Sequence, residues 1–161
     1  MGLYTDVIGL KTMAHNHQHC IDTALSAAER ICQENGLRFT PIRKKVLKVI
    51  WDNHQAIKAY DILERLQEED KSAKPPTAYR ALDFLLENGF IHRIESLNAY
   101  IGCPNPEHTH HFQLLICNTC GTVKEMDEPG LSEQVEVAVE KHDFDIAQQV
   151  VEVHGLCSNC R

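Results

Sequence analysis

Apolar positions along this chain change their spacing twice, and those changes mark out its architecture. From Ile21 onward, Ala24, Leu25, Ala28, Ile31 and Cys32 recur at intervals of three and four, which predicts an amphipathic helix ending at Asn35-Gly36, two residues that tolerate left-handed backbone. Thr40 then offers an N-cap and Pro41 a preset first turn, and Ile42, Val46, Leu47, Ile50 and Trp51 predict the buried stripe of a second helix. A third runs from about Ala59 to Glu69 on Tyr60, Ile62, Leu63 and Leu66. Pro75 and Pro76 open a fourth, with Ala78, Leu82, Leu85 and Leu86 toward a core, Thr77, Tyr79, Arg80 and Asp83 toward the polar side, and Asn88-Gly89 closing it.

After Gly89 the period falls toward two. Phe90 to Ile94 alternate, a turn intervenes at Ser96 to Asn98, and Ala99 to Cys103 resume an extended pattern, so a two-stranded hairpin follows the helices. Helices followed by such a hairpin predict a winged helix-turn-helix, whose last helix before the wing enters the DNA major groove. Pro104-Asn105-Pro106 then reads as a hinge. Beyond it, Phe112 to Ile116 and Gly121 to Met126 predict strands, Leu131 to Lys141 a helix, and Ile146 to Val153 a last strand. The expected fold class is α+β. Residues 1–20 form a flexible tail, 21–102 the winged-helix domain, 103–109 the hinge and 110–161 a small α/β domain for dimerisation and metal binding.

Charge adjusts this picture only locally. The 161 residues carry a formal net charge of −7, which by itself argues against a polyanionic partner. Residues 21–95 nevertheless hold twelve bases and twelve acids, while 96–161 hold three bases and ten acids, so the excess acid is C-terminal. A basic face from Arg38, Arg43, Lys44, Lys45 and Lys48 with Lys71, Lys74 and Arg80 is therefore compatible with the total, because nucleic acid reads the patch and not the sum. Charge alone equally fits solvated helix faces.

The cysteines carry the strongest chemical signal. Cys117/Cys120 and Cys157/Cys160 are two Cys-x-x-Cys pairs with 36 residues between them, a spacing that gives a tetrahedral four-thiolate zinc site. Disulfides fit poorly with a chain that shows no leader peptide and no membrane span, for which a reducing cytoplasm is the expected location. The ion would staple a domain too small to rely on its core. A tract at His15, His17, His19 and Cys20 is a weaker metal signal, since short terminal tracts are commonly mobile.

The motifs AKPPTAYRALDFLL (Ala73 to Leu86), GFIHRIES, NAYIGC, CNTCG and HGLCSNC occur in an order that resembles the ferric uptake regulator superfamily, and most of all its zinc uptake regulator branch, over residues 21–161. The resemblance implies a homodimeric, zinc-responsive repressor that binds double-stranded operator DNA and controls zinc uptake genes, with two Zn²⁺ per chain. It also implies a regulatory zinc between the domains, held by His92, Cys103, His110 and Glu125. Two imidazoles, a thiolate and a carboxylate suit Zn²⁺ and offset its charge. His108 or His111 could replace His110 or add a ligand, and His154, which resembles a ligand position of iron-sensing relatives, is expected to support a ligand from behind or to be structural. Iron sensors usually carry His-His-Asp-His before the first cysteine pair. Here the run is His108-Thr109-His110-His111-Phe112-Gln113, which lacks the acid and moves the preference toward zinc.

Tyr79 and Arg80 are the expected base contacts, since arginine can pair with guanine O6 and N7 and an aromatic ring can pack on a thymine methyl. Tyr60 joins them through the resemblance, unless it is a core tyrosine. Arg38, Thr40, Arg43 and Lys74 are expected at phosphates. An enzyme is not expected, nor a small organic substrate or membrane partner: the zinc-deaminase and His-Glu-x-x-His patterns are absent. An iron- or peroxide-sensing regulator is the alternative within the superfamily, and a zinc-stapled interaction module without DNA binding the alternative outside it.

Overall fold

The computed structural model describes residues 17–52, 55–69, 71, 74–107, 113–126, 128–146 and 149–161. Four helices come first: α1 (His17–Glu34), α2 (Pro41–Trp51), α3 (Ala59–Glu69) and α4 (Pro75–Glu87), with the two-residue strand β1 (Ile57–Lys58) before α3. The hairpin β2 (Ile91–Ile94) and β3 (Ala99–Gly102) follows. The second part holds β4 (Gln113–Cys117), β5 (Val123–Met126), α5 (Pro129–Glu140) and β6 (Val151–Gly155). Among the described residues no helix is long and apolar enough to cross a membrane.

The helical stripes meet as their spacing requires. Val46, Leu47 and Ile50 of α2, Ile62 and Leu66 of α3, and Ala78, Ala81, Leu82, Phe84 and Leu85 of α4 are buried together with Ala28 and Cys32 of α1. Each fully buried aliphatic side chain contributes about 1.5–3 kcal/mol relative to exposure, so this cluster dominates the stability of the N-terminal part. Gly36 and Gly89 end α1 and α4 at φ +67° and +71°, which a Cβ disfavours. Thr40 precedes Pro41 in extended conformation but makes no side-chain cap bond, so Pro41 alone fixes the start of α2.

Three details depart from expectation. The first helix begins at His17, so His17 to Cys20 belong to α1 and not to the expected tail. The wing is three-stranded, in the order β1-β3-β2, because Ile57 and Lys58 pair antiparallel with Tyr100 and Ala99. The last strand lies at Val151–Gly155, later than predicted, because its partner is β4 in parallel register, Gln113 with Val151 through Cys117 with Gly155. β4 is thus the centre of a sheet ordered β5-β4-β6.

The two sheets share a second apolar cluster. Ile94 of the wing lies fully buried with Leu114, Ile116 and Val123 of the second sheet, and Ala56 and Ile101 pack against them. Gln55 forms an isolated antiparallel bridge with Thr122. Arg30 of α1 forms an ion pair with Glu107 in the segment joining the halves. Gly102 lies so close to the Trp51 indole that a Cβ there would overlap the ring. The wing is therefore packed on both faces, against the helices and against the second sheet.

Candidate metal centres and nucleic-acid face

The hairpin of β4 and β5 presents Cys117 and Cys120, and the end of β6 brings Cys157 and Cys160 beside them, all four sulfurs lying within 4.8 Å of one another. Cys120 and Cys157 sulfurs stand 3.7 Å apart. That is too far for a disulfide and near the edge of about 3.8 Å that a tetrahedron with 2.3 Å zinc–sulfur bonds requires. Backbone N–H groups of Cys120, Cys157 and Thr119 point at Cys117 and lower its pKa to about 6. Thr122 lowers that of Cys120. Side-chain hydrogen bonds with Cys157 and Cys120 push the Cys160 thiol up to about 12. Four sulfurs gathered at this spacing fit a tetrahedral dication.

A second group joins parts of the chain that are distant in sequence. His92 on β2, Cys103 just after β3 and Glu125 on β5 place one donor atom each within 4.8 Å of the others. The His92 Nε2 lies 3.7 Å from the Glu125 carboxylate. His92 and Cys103 are buried, at 7% and 3% exposure, and Glu125 is half-buried. Burial pushes the Cys103 thiol up to about 12, an N–H of Asn105 opposes this, and the Glu125 charge adds to it. A nitrogen, a sulfur and a carboxylate oxygen converging out of water form a donor set suited to Zn²⁺ once Cys103 gives up its proton. His110, with His108 and His111, lies outside the described residues, as do His15 and the His17 side chain.

His154 belongs to neither donor group. Its Nδ1 stands 3.3 Å from Asn118 Oδ1 and its Nε2 3.7 Å from Glu152. His19 and Cys20, in the first turns of α1, line a surface hollow together with Cys103 and Pro104 but stand outside the donor group.

The start of α4 exposes Thr77, Tyr79 and Arg80, with Lys74 exposed just before it. Tyr79 is 51% exposed and Tyr60, at the start of α3, 70%, which rules out a core role for Tyr60. Exposed aromatic rings beside an arginine at a helix N-terminus suit a groove and its phosphates. Arg38 is also exposed. Arg43 is engaged in the fold: its guanidinium stacks 3.4 Å above the Phe84 ring and donates to the Arg38 carbonyl oxygen.

Sequence reasoning missed Glu152. This half-buried β6 residue accepts hydrogen bonds from backbone N–H groups of the wing turn, which no side-chain pattern announces.

The ferric uptake regulator family profile matches residues 34–154. The zinc uptake regulation protein of Escherichia coli (strain K12) is 44% identical over 137 residues, covering 84% of this chain and 80% of that protein. The ferric uptake regulation protein of Campylobacter upsaliensis is 26% identical, covering 86% and 90%. Among solved structures, a zinc uptake regulator complexed with zinc and DNA superposes with a TM-score of 0.83 at 42% identity, covering 86% of this chain and 93% of that one. Holo XcZur superposes at 0.81 with 41% identity, covering 86% and 96%. Apo XcZur superposes at 0.53 with 40% identity, covering 88% and 98%. Coverage and identity hardly change between the last two, so the fall in similarity reflects arrangement.

Proposed function

The chain belongs to the ferric uptake regulator family, and from that premise we propose that it is a zinc-responsive transcriptional repressor, binding operator DNA as a zinc-loaded homodimer and controlling zinc uptake genes. The observation that carries this reading is the convergence of His92, Cys103 and Glu125 from the wing, the joining segment and the second sheet. In this reading 21–102 is the DNA-binding domain, which α1 extends back to His17, 103–109 the hinge and 110–161 the dimerisation domain. His110 completes the regulatory donor set, and Cys117, Cys120, Cys157 and Cys160 hold a structural zinc, giving two per chain.

Zn²⁺ bound at the regulatory donors would supply a +2 charge and directional bonds that favour one spacing of the parts bearing them. His92, Cys103 and Glu125 then hold the wing against the second sheet, which sets the separation of the two recognition helices across a dimer. Operator and zinc raise each other's affinity by the same factor, and a nearly complete switch needs about 5 kcal/mol of discrimination. The greater similarity to holo than to apo XcZur supports the described arrangement as the metal-bound one.

Tyr79, Arg80 and Tyr60 face the bases, with Arg38, Thr40, Arg43 and Lys74 at phosphates. The dimer surface is supported by α5 and β6, where Val137 is 55% and Val153 47% exposed. The cysteine and the shorter oxygen inventory of the regulatory set favour zinc over iron, and no open coordination position for catalysis is called for once four protein donors bind.

The test is operator binding in zinc buffers, alongside metal analysis of purified protein. The reading expects two zinc ions per chain and operator binding that a chelator abolishes; a metal-independent affinity would overturn it.

A further inference from the structure

Glu152 crosses the same boundary as the regulatory donors, at the other end of the wing. Its Oε1 accepts the Glu95 N–H at 2.6 Å, and its Oε2 accepts the Ser96 N–H at 3.2 Å, with Oε1 at 3.5 Å from the same nitrogen. The side chain is 10% exposed. Burial raises its carboxyl pKa, and the Ser96 hydroxyl with the two N–H groups more than offsets this, leaving it below its ordinary value and ionised. Hydrogen bonds to a buried carboxylate are charge-assisted and geometrically demanding.

The turn it grips is set up to receive it. The Asn98 N–H closes the turn onto the Glu95 carbonyl at 3.3 Å, and Asn98 takes φ +47°. Arg93 lies 3.5 Å from the Glu95 carboxylate and donates to the Asn98 amide oxygen at 3.0 Å, which ties the two ends of the turn to one side chain. On the other side, the Asn118 N–H donates to the Gly155 carbonyl at 2.9 Å, and His154 bridges Glu152 and Asn118. Asn118 lies inside the first cysteine pair. The four-cysteine knuckle thus fixes the end of β6, and β6 presents Glu152 to the wing.

We propose that Glu152 is a positioning residue for metal-dependent DNA binding: a carboxylate latch that fixes the wing turn against the second sheet in the operator-binding arrangement. The hairpin is then held near its base by His92 and Cys103 and at its turn by Glu152. The wing acts as a strut between the halves, and its turn N–H groups are spent on protein and not on DNA phosphates. This inference rests on the repressor reading above.

The experiment compares the parent protein with Glu152→Ala and Glu152→Gln, all zinc-loaded, by amide hydrogen exchange and by operator binding with and without chelator. In Glu152→Ala the Glu95 and Ser96 amides should exchange at least about tenfold faster. Zinc content should stay that of the parent, and the ratio of zinc-loaded to chelated operator affinity should fall about tenfold or more. Glu152→Gln, which keeps an acceptor oxygen without the charge, should lie between, and it replaces the alanine variant if that fails to fold. Unprotected Glu95 and Ser96 amides in the zinc-loaded parent, or an unchanged affinity ratio in the variants, would overturn the latch. A parent protein indifferent to chelator would instead overturn the repressor reading, a distinct outcome because the amide readout needs no DNA.

Discussion

Cys103 is where burial and metal chemistry meet most directly. Its thiol, pushed up to about 12 by burial, keeps its proton throughout the neutral range when no ion is present. Binding an ion as thiolate must expel that proton, so each unit of rising pH favours binding until the pH approaches 12. Zinc affinity at this site should therefore rise about tenfold per pH unit between pH 6 and 8 from Cys103 alone, measurable by competition with a chelator of known pH dependence. Cys103→Ser should leave a folded dimer with one zinc per chain and no operator binding, checked by metal analysis and anisotropy; normal repression by this variant would remove Cys103 from the account. Next to it, Gly102→Ala would drive a Cβ into the Trp51 indole and should lower stability by about 1–3 kcal/mol in thermal or denaturant unfolding. Arg80→Ala belongs to the same scale. It should flatten sequence preference by about 1–3 kcal/mol at one base position, while a uniform loss across sequences would make Arg80 a phosphate contact.

At the scale of elements, the four cysteines gather where β4, β5 and β6 meet, in a part of the chain with a small apolar core, and the proposed structural zinc would hold the strands together. Cys117→Ser should remove the staple and unfold the second sheet. Circular dichroism and zinc release should show a lost transition, and an unchanged transition in metal-free protein would contradict the structural role. The helices were legible because each stripe repeats over several turns: Val46, Leu47 and Ile50 are buried as their spacing requires. β1 was not, because two residues cannot display an alternation and Ile57-Lys58 becomes a strand only by pairing with Ala99 and Tyr100. The wing blurred its own signal. Ile91 faces the helical cluster while Ile94 faces the second sheet, so burial on both sides replaces a clean apolar and polar alternation. β6 was displaced for a related reason: its register is set by β4, and Gly155 carries no strand preference of its own. The cysteine pairs declared themselves through spacing, whereas His92, Cys103 and Glu125 came from family resemblance. Glu152 stayed invisible because its partners are backbone N–H groups 56 and 57 residues away.

Across the whole molecule, the proposed function turns on how firmly two small parts are held together. Ile94, Ile101, Leu114, Ile116 and Val123 form an apolar seam, the Gln55–Thr122 bridge extends it, and the Arg30–Glu107 pair ties α1 to the joining segment. Such a seam is modest beside the helical core, so metal donors at its edge can decide whether it stays closed. The charge distribution fits the same division of labour, with the acid excess in the C-terminal part and the exposed Arg80, Lys74 and Arg38 in the part proposed to meet DNA. The most direct test is operator affinity measured by fluorescence anisotropy across buffered free-zinc concentrations, with the structural zinc retained throughout. The account predicts that affinity rises by two or more orders of magnitude, on the order of 3–5 kcal/mol, as the second zinc per chain binds. Operator binding that is already complete with one zinc per chain, and unchanged by the second, would contradict it.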